Sequence, residues 1–299
     1  MRTERRRIAL ALSIVASLIF ASCGGRLADQ SRAAKSPQRI ISLSPSATEV
    51  LWGVGAFPRV VAVTDYDDFP PEVKSLPKIG GWSNTNLEQI ASLKPDLIVM
   101  TQSQSPLIKD KLDALGVRTL VVPSYTVADA LNSIQQIGDA VGEQENARKL
   151  LDETRAKLDA VHAATENLQR PRVVCIVDRV PGTLRGLYAA TKGSFLVELI
   201  ETAGGESIAP PAASGFGQIS KEAIATLDPD IIIDMVQSTN DSRLAEDPKE
   251  VWSELAQIKA VREGRVYELH DNSVLHPSQF VGDTARKFAE LLHPEAFKK

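Results

Sequence analysis

The stretch Gly80–Met100, "GGWSNTNLEQIASLKPDLIVM", has an echo at Gly215–Asp234, "GFGQISKEAIATLDPDIIID". The offset is a constant 134 residues. Trp82 falls on Phe216 and Glu88 on Glu222, while Ile90, Ala91, Leu93, Pro95, Asp96 and Ile98 recur unchanged. Each copy reads as a loop, then a short helix opened by Asn86 or Ser220, then a proline stop and an apolar strand. Strands without polar alternation, connected by helices, belong to parallel sheets covered on both faces. Two copies of the unit predict two such sheets. Ordinary helix-to-strand punctuation accounts for Leu93, Pro95, Asp96 and Ile98. It accounts less well for an aromatic residue placed six positions ahead of an acid in both copies.

Outward from the echo, strand and helix alternate. Strands are expected at 39–44, 60–65, 96–101 and 118–123, and helices at 46–55, 86–94 and 105–116. The alternation restarts with strand 172–178, helices 193–205 and 220–227, strand 230–235, helix 248–258, strand 265–270 and a helix near 279–292. Between the halves, Ala147, Leu150, Leu151, Leu158, Val161 and Leu168 fall on one helical stripe. Residues 143–169 would make a rod about 40 Å long, ended by Pro171. The expected fold is α/β, with two Rossmann-like lobes of mainly parallel sheets joined by a single long α-helix. The lobes are assigned to 39–126 and 171–299, with 127–170 as the helical segment between them.

Residues 1–22 are set aside as a signal peptide, because "MRTERRR" precedes a 13-residue apolar run, Ile8–Phe20, too short to span a bilayer. "FASC" then places small residues ahead of Cys23. Two readings stand: a lipoprotein signal, with Cys23 carrying the lipid that anchors the chain outside the cytoplasm, or an ordinary secretory signal with Cys23 incidental. Residues 23–38 are small and polar, a flexible tether. The other cysteine, Cys175, sits in "RVVCIV" and is expected inside a strand. With 34 Lys+Arg against 38 Asp+Glu, the net charge of −4 argues against a nucleic-acid partner.

Signals for an enzyme are thin. "GVG" at 53–55 ends a helix instead of following a strand, and neither a P-loop nor a GxSxG elbow occurs. The four histidines, His162, His270, His276 and His293, lack metal-site spacing, so no metal and no cofactor is expected. His162 and His293 are expected in solvent, whereas His270 and His276 flank a loop where a ligand could sit.

Parallel sheets bind ligands beyond the C-terminal ends of their strands. Tyr66, Trp82, Tyr125 and Phe216 are expected on such loops, in a chain with only 5% aromatic residues. They are either core packing or a two-sided clamp for a flat, wide ligand, each ring contributing about 0.5–1.5 kcal/mol beyond its buried area. Tyr188 and His276 complete the candidate ligand-binding set. Glu88 and Glu222 each lie in a first helical turn, where they complement the helix dipole. Their duplication also offers two matched negative points for a two-fold symmetric partner.

The combination of "RIISLSPSATEVLWGVGA", "VAVTDYDDFPPEVKSLPKIGGWSNTNLEQIASLKPDLIV", "GSFLVELIETAGG" and "ISKEAIATLDPDIII" resembles the cobalamin/ferric-siderophore class of substrate-binding proteins. The resemblance covers residues 39 to about 293 and is closest to the cobalamin binders, through "SLSPSATE", "DYDDFPP" and "GGWSNTNLE". It implies a monomeric binding protein serving an ATP-binding-cassette importer, which hands a corrinoid to a permease and its ATPase subunits. The alternatives it leaves are a ferric-siderophore or haem binder, and, from another class, an enzyme acting on a tetrapyrrole or metal chelate. By the resemblance Tyr66, Trp82 and Phe216 fall on ring-contacting positions, and Glu88 and Glu222 on the acids that meet the permease. The chain departs from the class at Phe216, where a tryptophan can stand, at Thr101, where an aromatic can stand, and at Phe280, where many relatives have arginine.

Overall fold

The computed structural model describes residues 36–235, 247–269 and 271–298, so that Cys23, the leader, most of the tether and His270 lie outside the described residues. Strands form where apolar, mostly β-branched runs can be buried on both faces. In the first sheet these are β1 (Ile40–Ser42), β2 (Val60–Ala62), β3 (Leu97–Thr101) and β4 (Thr119–Val122), all parallel, in the order β2-β1-β3-β4. Successive residues of β3 serve opposite cores, as the two-residue period requires. Leu97 and Val99 face a cluster with Val50, Leu51 and Ile137, and Ile98 and Met100 a cluster with Ile90 and Leu112. Helices α1 (Pro45–Gly53), α2 (Leu87–Leu93) and α3 (Ser105–Ala114) supply these covering residues in part.

The chain then makes a helical hairpin, α4 (Val127–Val141) and α5 (Gln144–Thr165), turned at Gly142, whose φ of +80° suits glycine. α5 is the expected connecting helix, but it ends four residues early, giving about 33 Å in place of 40. Thr165 Oγ1 donates to Thr202 O at 2.9 Å, pinning the end of α5 to the second lobe before the chain turns. Both helices of the hairpin span the two cores. Ala147 of α5 packs in the first, and Leu158 and Val161 in the second; Ile134 and Ile137 of α4 pack in the first, and Ala130 in the second.

The second sheet runs β10-β9-β5-β6-β8. Parallel strands β5 (Arg172–Asp178), β9 (Ile231–Asp234) and β10 (Val266–Glu268) are joined by an antiparallel edge, β6 (Tyr188–Ala190) and β8 (Phe216–Gln218); β7 (Glu206–Ser207) pairs the start of β5. Its helices are α6 (Phe195–Thr202), α7 (Lys221–Leu227), α8 (Pro248–Trp252), α9 (Lys259–Arg262) and α10 (Val281–Leu292). The antiparallel edge corrects the expectation for Phe216, which stands on a strand, paired with Ala190, and not in a loop. Strands of three residues that include Gly217 carry too little periodicity to be read from sequence. Cys175 is fully buried in β5, and burial pushes its thiol pKa up. His293 is half-buried against Gly204 and not free in solvent, and burial pulls its pKa down.

The 134-residue echo has a physical explanation in its second half. α2 and α7 have seven residues each, both are capped by a side-chain oxygen (Asn86 and Ser220), and both end on a left-handed non-glycine residue, Lys94 or Asp228. The aspartate two residues after it fastens the next strand to its neighbour. Asp96 accepts the backbone N–H groups of Gln38 (2.7 Å) and Arg39 (2.9 Å), and Asp230 that of Arg172 (2.8 Å). Arg39 Nη2 in turn donates to Leu93 O (2.6 Å), and Arg172 Nη1 to Asp228 O (3.2 Å).

Within the hairpin, a Cβ at Gly138 would stand 2.2 Å from Ala147 Cβ, so the two helices approach where a hydrogen replaces a side chain. Gly138→Ala gains about 1 kcal/mol of intrinsic helix propensity. The overpacking it forces costs about 1–3 kcal/mol. Urea unfolding is expected to show net destabilisation; an unchanged or higher midpoint would mean the hairpin separates freely.

Candidate functional site

The first sheet reverses its winding between β1 and β3, and in open parallel sheets the crevice at such a point receives ligands. Here it opens into a cavity of about 1040 Å3 walled by both lobes. Its polar floor comes from the ends of those two strands. Ser44 caps α1 by accepting Ala47 N–H (3.2 Å) and meets Ser46 Oγ (3.1 Å), while Thr101 Oγ1 meets Ser103 Oγ (3.0 Å).

Tyr66, Trp82, Tyr125, Tyr188, Phe216 and His276 all line this one cavity. Trp82 is carried at the tip of a built turn: Gly81 N–H donates to Asn84 Oδ1 (2.7 Å), and Thr85 Oγ1 donates to Gly81 O (2.7 Å). Gly81 also leaves room for the Tyr66 ring, since a Cβ there would lie 2.6 Å from Tyr66 Cε2. Tyr66 is 62% exposed, Trp82 45% and Tyr125 37%, so these rings are not core packing. Tyr188 and Phe216 sit on the antiparallel edge of the second sheet, partly buried against its core.

His276 is held from behind by a group that sequence reading did not single out. Glu49 of α1 is 1% exposed. Its Oε1 accepts His276 Nδ1–H (2.6 Å), its Oε2 accepts Ser278 Oγ–H (2.5 Å), and its backbone oxygen accepts Gln279 Nε2–H (2.9 Å). Thus a first-lobe helix grips a second-lobe segment, and the contact continues through edge-to-face rings from Trp52 to Phe69 (4.9 Å) and Phe69 to Phe280 (5.3 Å). Asn272 Nδ2 donates to Asp68 Oδ2 across the same seam (3.1 Å). Also unforeseen were the wall carboxylates Asp65, Asp67, Asp68 and Asp178. A signal for three of them exists, a run "DYDD" straight after an apolar strand.

Glu88 and Glu222 are exposed in the first turns of α2 and α7. Backbone and Ser220 hydrogen bonds hold Glu222 below the usual carboxylate range. Among the described residues no group of three His, Cys, Asp or Glu is arranged to hold a metal ion, and no helix is long and apolar enough to cross a membrane.

Burial pushes the Glu49 carboxyl up, and the hydrogen bonds from His276 and Ser278 return only part of that shift. For His276, burial pulls the imidazole down, but the hydrogen bond and charge of Glu49, with Asp68 and Asp67, outweigh it and raise its pKa. Asp67 is raised by burial. Glu49 and His276 therefore bind protons more tightly folded than unfolded, so their contribution to stability is lost as pH rises. For His276 the loss begins above the unfolded value of about 6.5 and is complete once pH passes the raised folded value. Unfolding free energy measured in urea from pH 6 to 9 is expected to fall, and His276→Asn to flatten that fall. Parallel profiles would deny His276 this role.

A family model described as "Periplasmic binding protein" matches residues 40–273. The chain is 29% identical over 271 residues to an uncharacterized ABC transporter substrate-binding lipoprotein, YvrC, of Bacillus subtilis (strain 168), covering 89% of this chain and 83% of that protein. It is 24% identical over 243 residues to a vitamin B12-binding protein of Vibrio parahaemolyticus serotype O3:K6 (strain RIMD 2210633), covering 81% and 84% respectively. Its fold is similar to the crystal structure of the periplasmic vitamin B12 binding protein BtuF of Vibrio cholerae, with a TM-score of 0.74 at 23% identity over 88% of this chain and 99% of that one. The motifs, the two-lobe α/β fold and the matched family agree, and the chain belongs to the periplasmic binding protein family.

Proposed function

We propose that this chain is the extracytoplasmic binding lipoprotein of an ABC importer, capturing cobalamin or a related corrinoid between its lobes and delivering it to a permease with its ATPase subunits. The observation that carries the reading is one cavity of about 1040 Å3 lined by aromatic side chains of both lobes, Tyr66, Trp82 and Tyr125 from the first and Tyr188 and Phe216 from the second. A flat macrocycle fits such walls, and nothing need be made or broken. The B12-binding relative supports the choice of guest, and the word lipoprotein in the name of the Bacillus relative supports an anchor at Cys23. The two-helix hairpin and the Glu49 contact resist wide opening, so capture proceeds with small lobe motion.

A second reading, haem or a ferric chelate, has its own observation: Tyr66 and His276, a phenol and an imidazole able to ligate iron, line the same cavity. Titration decides between the two. Cyanocobalamin is expected to quench tryptophan fluorescence saturably at one equivalent, and Trp82→Ala to weaken binding roughly tenfold to a hundredfold. No saturable binding would end the corrinoid reading.

In the same reading Glu88 and Glu222 dock the permease. Replacing both by lysine is expected to leave guest affinity unchanged and abolish uptake in cells that carry the partner permease. Intact uptake, with only a small loss of helix stability from the dipole, would reduce them to local helix stabilisers.

A further inference from the structure

The charged side chains that share the cavity wall with the aromatics have one sign. Asp65, Asp67, Asp68 and Asp178 line it, and among the described lining residues there is no lysine or arginine. They come from both lobes: three come after β2, and Asp178 ends β5, beside Tyr188. The basic side chain in the described lining, His276, is turned to the buried Glu49, so it adds no net positive charge to the wall. Two cations close in sequence to these acids or to the strand end have partners of their own. Lys78 Nζ donates to the backbone oxygen of Asp67 (3.0 Å), and buried Arg179 pairs with Asp234 (2.8 Å).

Two of the carboxylates, Asp67 and Asp68, are also held in place. Asp67 Oδ2 accepts Thr64 N–H (2.8 Å) and Thr64 Oγ1–H (2.5 Å), while its Oδ1 is buried without a hydrogen-bond partner in a side chain only 5% exposed. Asp68 accepts from Asn272. Asp65 and Asp178 are exposed to the cavity space. An ionised carboxylate accepts hydrogen bonds and donates none. A wall built of them rewards a guest with N–H donors or positive charge at its rim, and repels one with acids there.

Resting on the reading of this cleft as a macrocycle site, we propose that Asp65, Asp67, Asp68 and Asp178 select guest charge, admitting a ring rimmed by amides or cations and rejecting a ring of equal size rimmed by carboxylates. The property distinguishes classes that aromatic walls alone would accept equally, since ring stacking is indifferent to what the ring carries at its edge.

The test uses one macrocycle with two rims: dicyanocobinamide, rimmed by amides, and dicyanocobyrinic acid, with carboxylates in their place. Calorimetry at low ionic strength is expected to give the amide form at least about tenfold tighter binding, a gap that narrows with added salt. Asp65→Asn/Asp178→Asn, two isosteric changes at exposed positions, is expected to narrow it too, with its melting temperature checked against the parent. Equal affinity for both rims, or a gap unmoved by salt and by the double substitution, overturns the charge selection and leaves the corrinoid reading standing. If neither corrin binds, the corrinoid reading falls by itself. The same inference is then decided by cationic ferrioxamine B against anionic ferric enterobactin: preference for the cation upholds it, and equal or reversed preference overturns it.

Discussion

One buried carboxylate fixes the relation of the two lobes. Glu49 leaves water almost completely, which an ion does only where partners replace its hydration. His276, Ser278 and Gln279, which hold it, all come from the far lobe, 227 to 230 residues away in sequence. Removing such a partner typically costs about 3–5 kcal/mol, because the charge is left buried and alone. The posture of His276, and with it the seam that closes one side of the cavity, depends on that grip. The helical hairpin gives it a stiff frame by placing both of its helices in both cores.

From that frame the cavity assembles by general rules. A parallel sheet whose strand order reverses leaves a crevice beyond its strand ends. Short loops then project side chains into it: hydroxyls from the ends of β1 and β3, acids and Tyr66 after β2, Tyr125 after β4. The second sheet answers with Tyr188 and Phe216 on an antiparallel edge and with Asp178 at the end of β5. Aromatic rings and acids thus come from the same segments, Tyr66 within the run Asp65–Asp68 and Tyr188 paired with Asp178, so a ring face and a carboxylate are presented side by side.

The repeat made the two sheets legible before any coordinates, because Leu-x-Pro-Asp ahead of a β-branched run has a strong local meaning. The structure adds why the aspartate is there: Asp96 and Asp230 hold the backbone of the neighbouring strand. The loop positions of Tyr66, Trp82 and Tyr125 were also legible, since each comes after an apolar run or stands in a motif. The grip of Glu49 was not. Inside "SATEVLW" it looks like an exposed helix acid, and only the tertiary fold brings it to His276. The antiparallel edge escaped for another reason, strands too short to show a period. Nor did the sequence announce Gly138, whose missing side chain lets α4 and α5 approach at Ala147.

The central claim is that the cleft holds a ring-shaped guest by its faces and chooses it by its rim. Native mass spectrometry of the chain mixed with equal amounts of cyanocobalamin and haemin tests it most directly. The account predicts one adduct per chain, with the mass of cyanocobalamin. A haemin adduct in its place, or a bare chain when both are in excess, would contradict it.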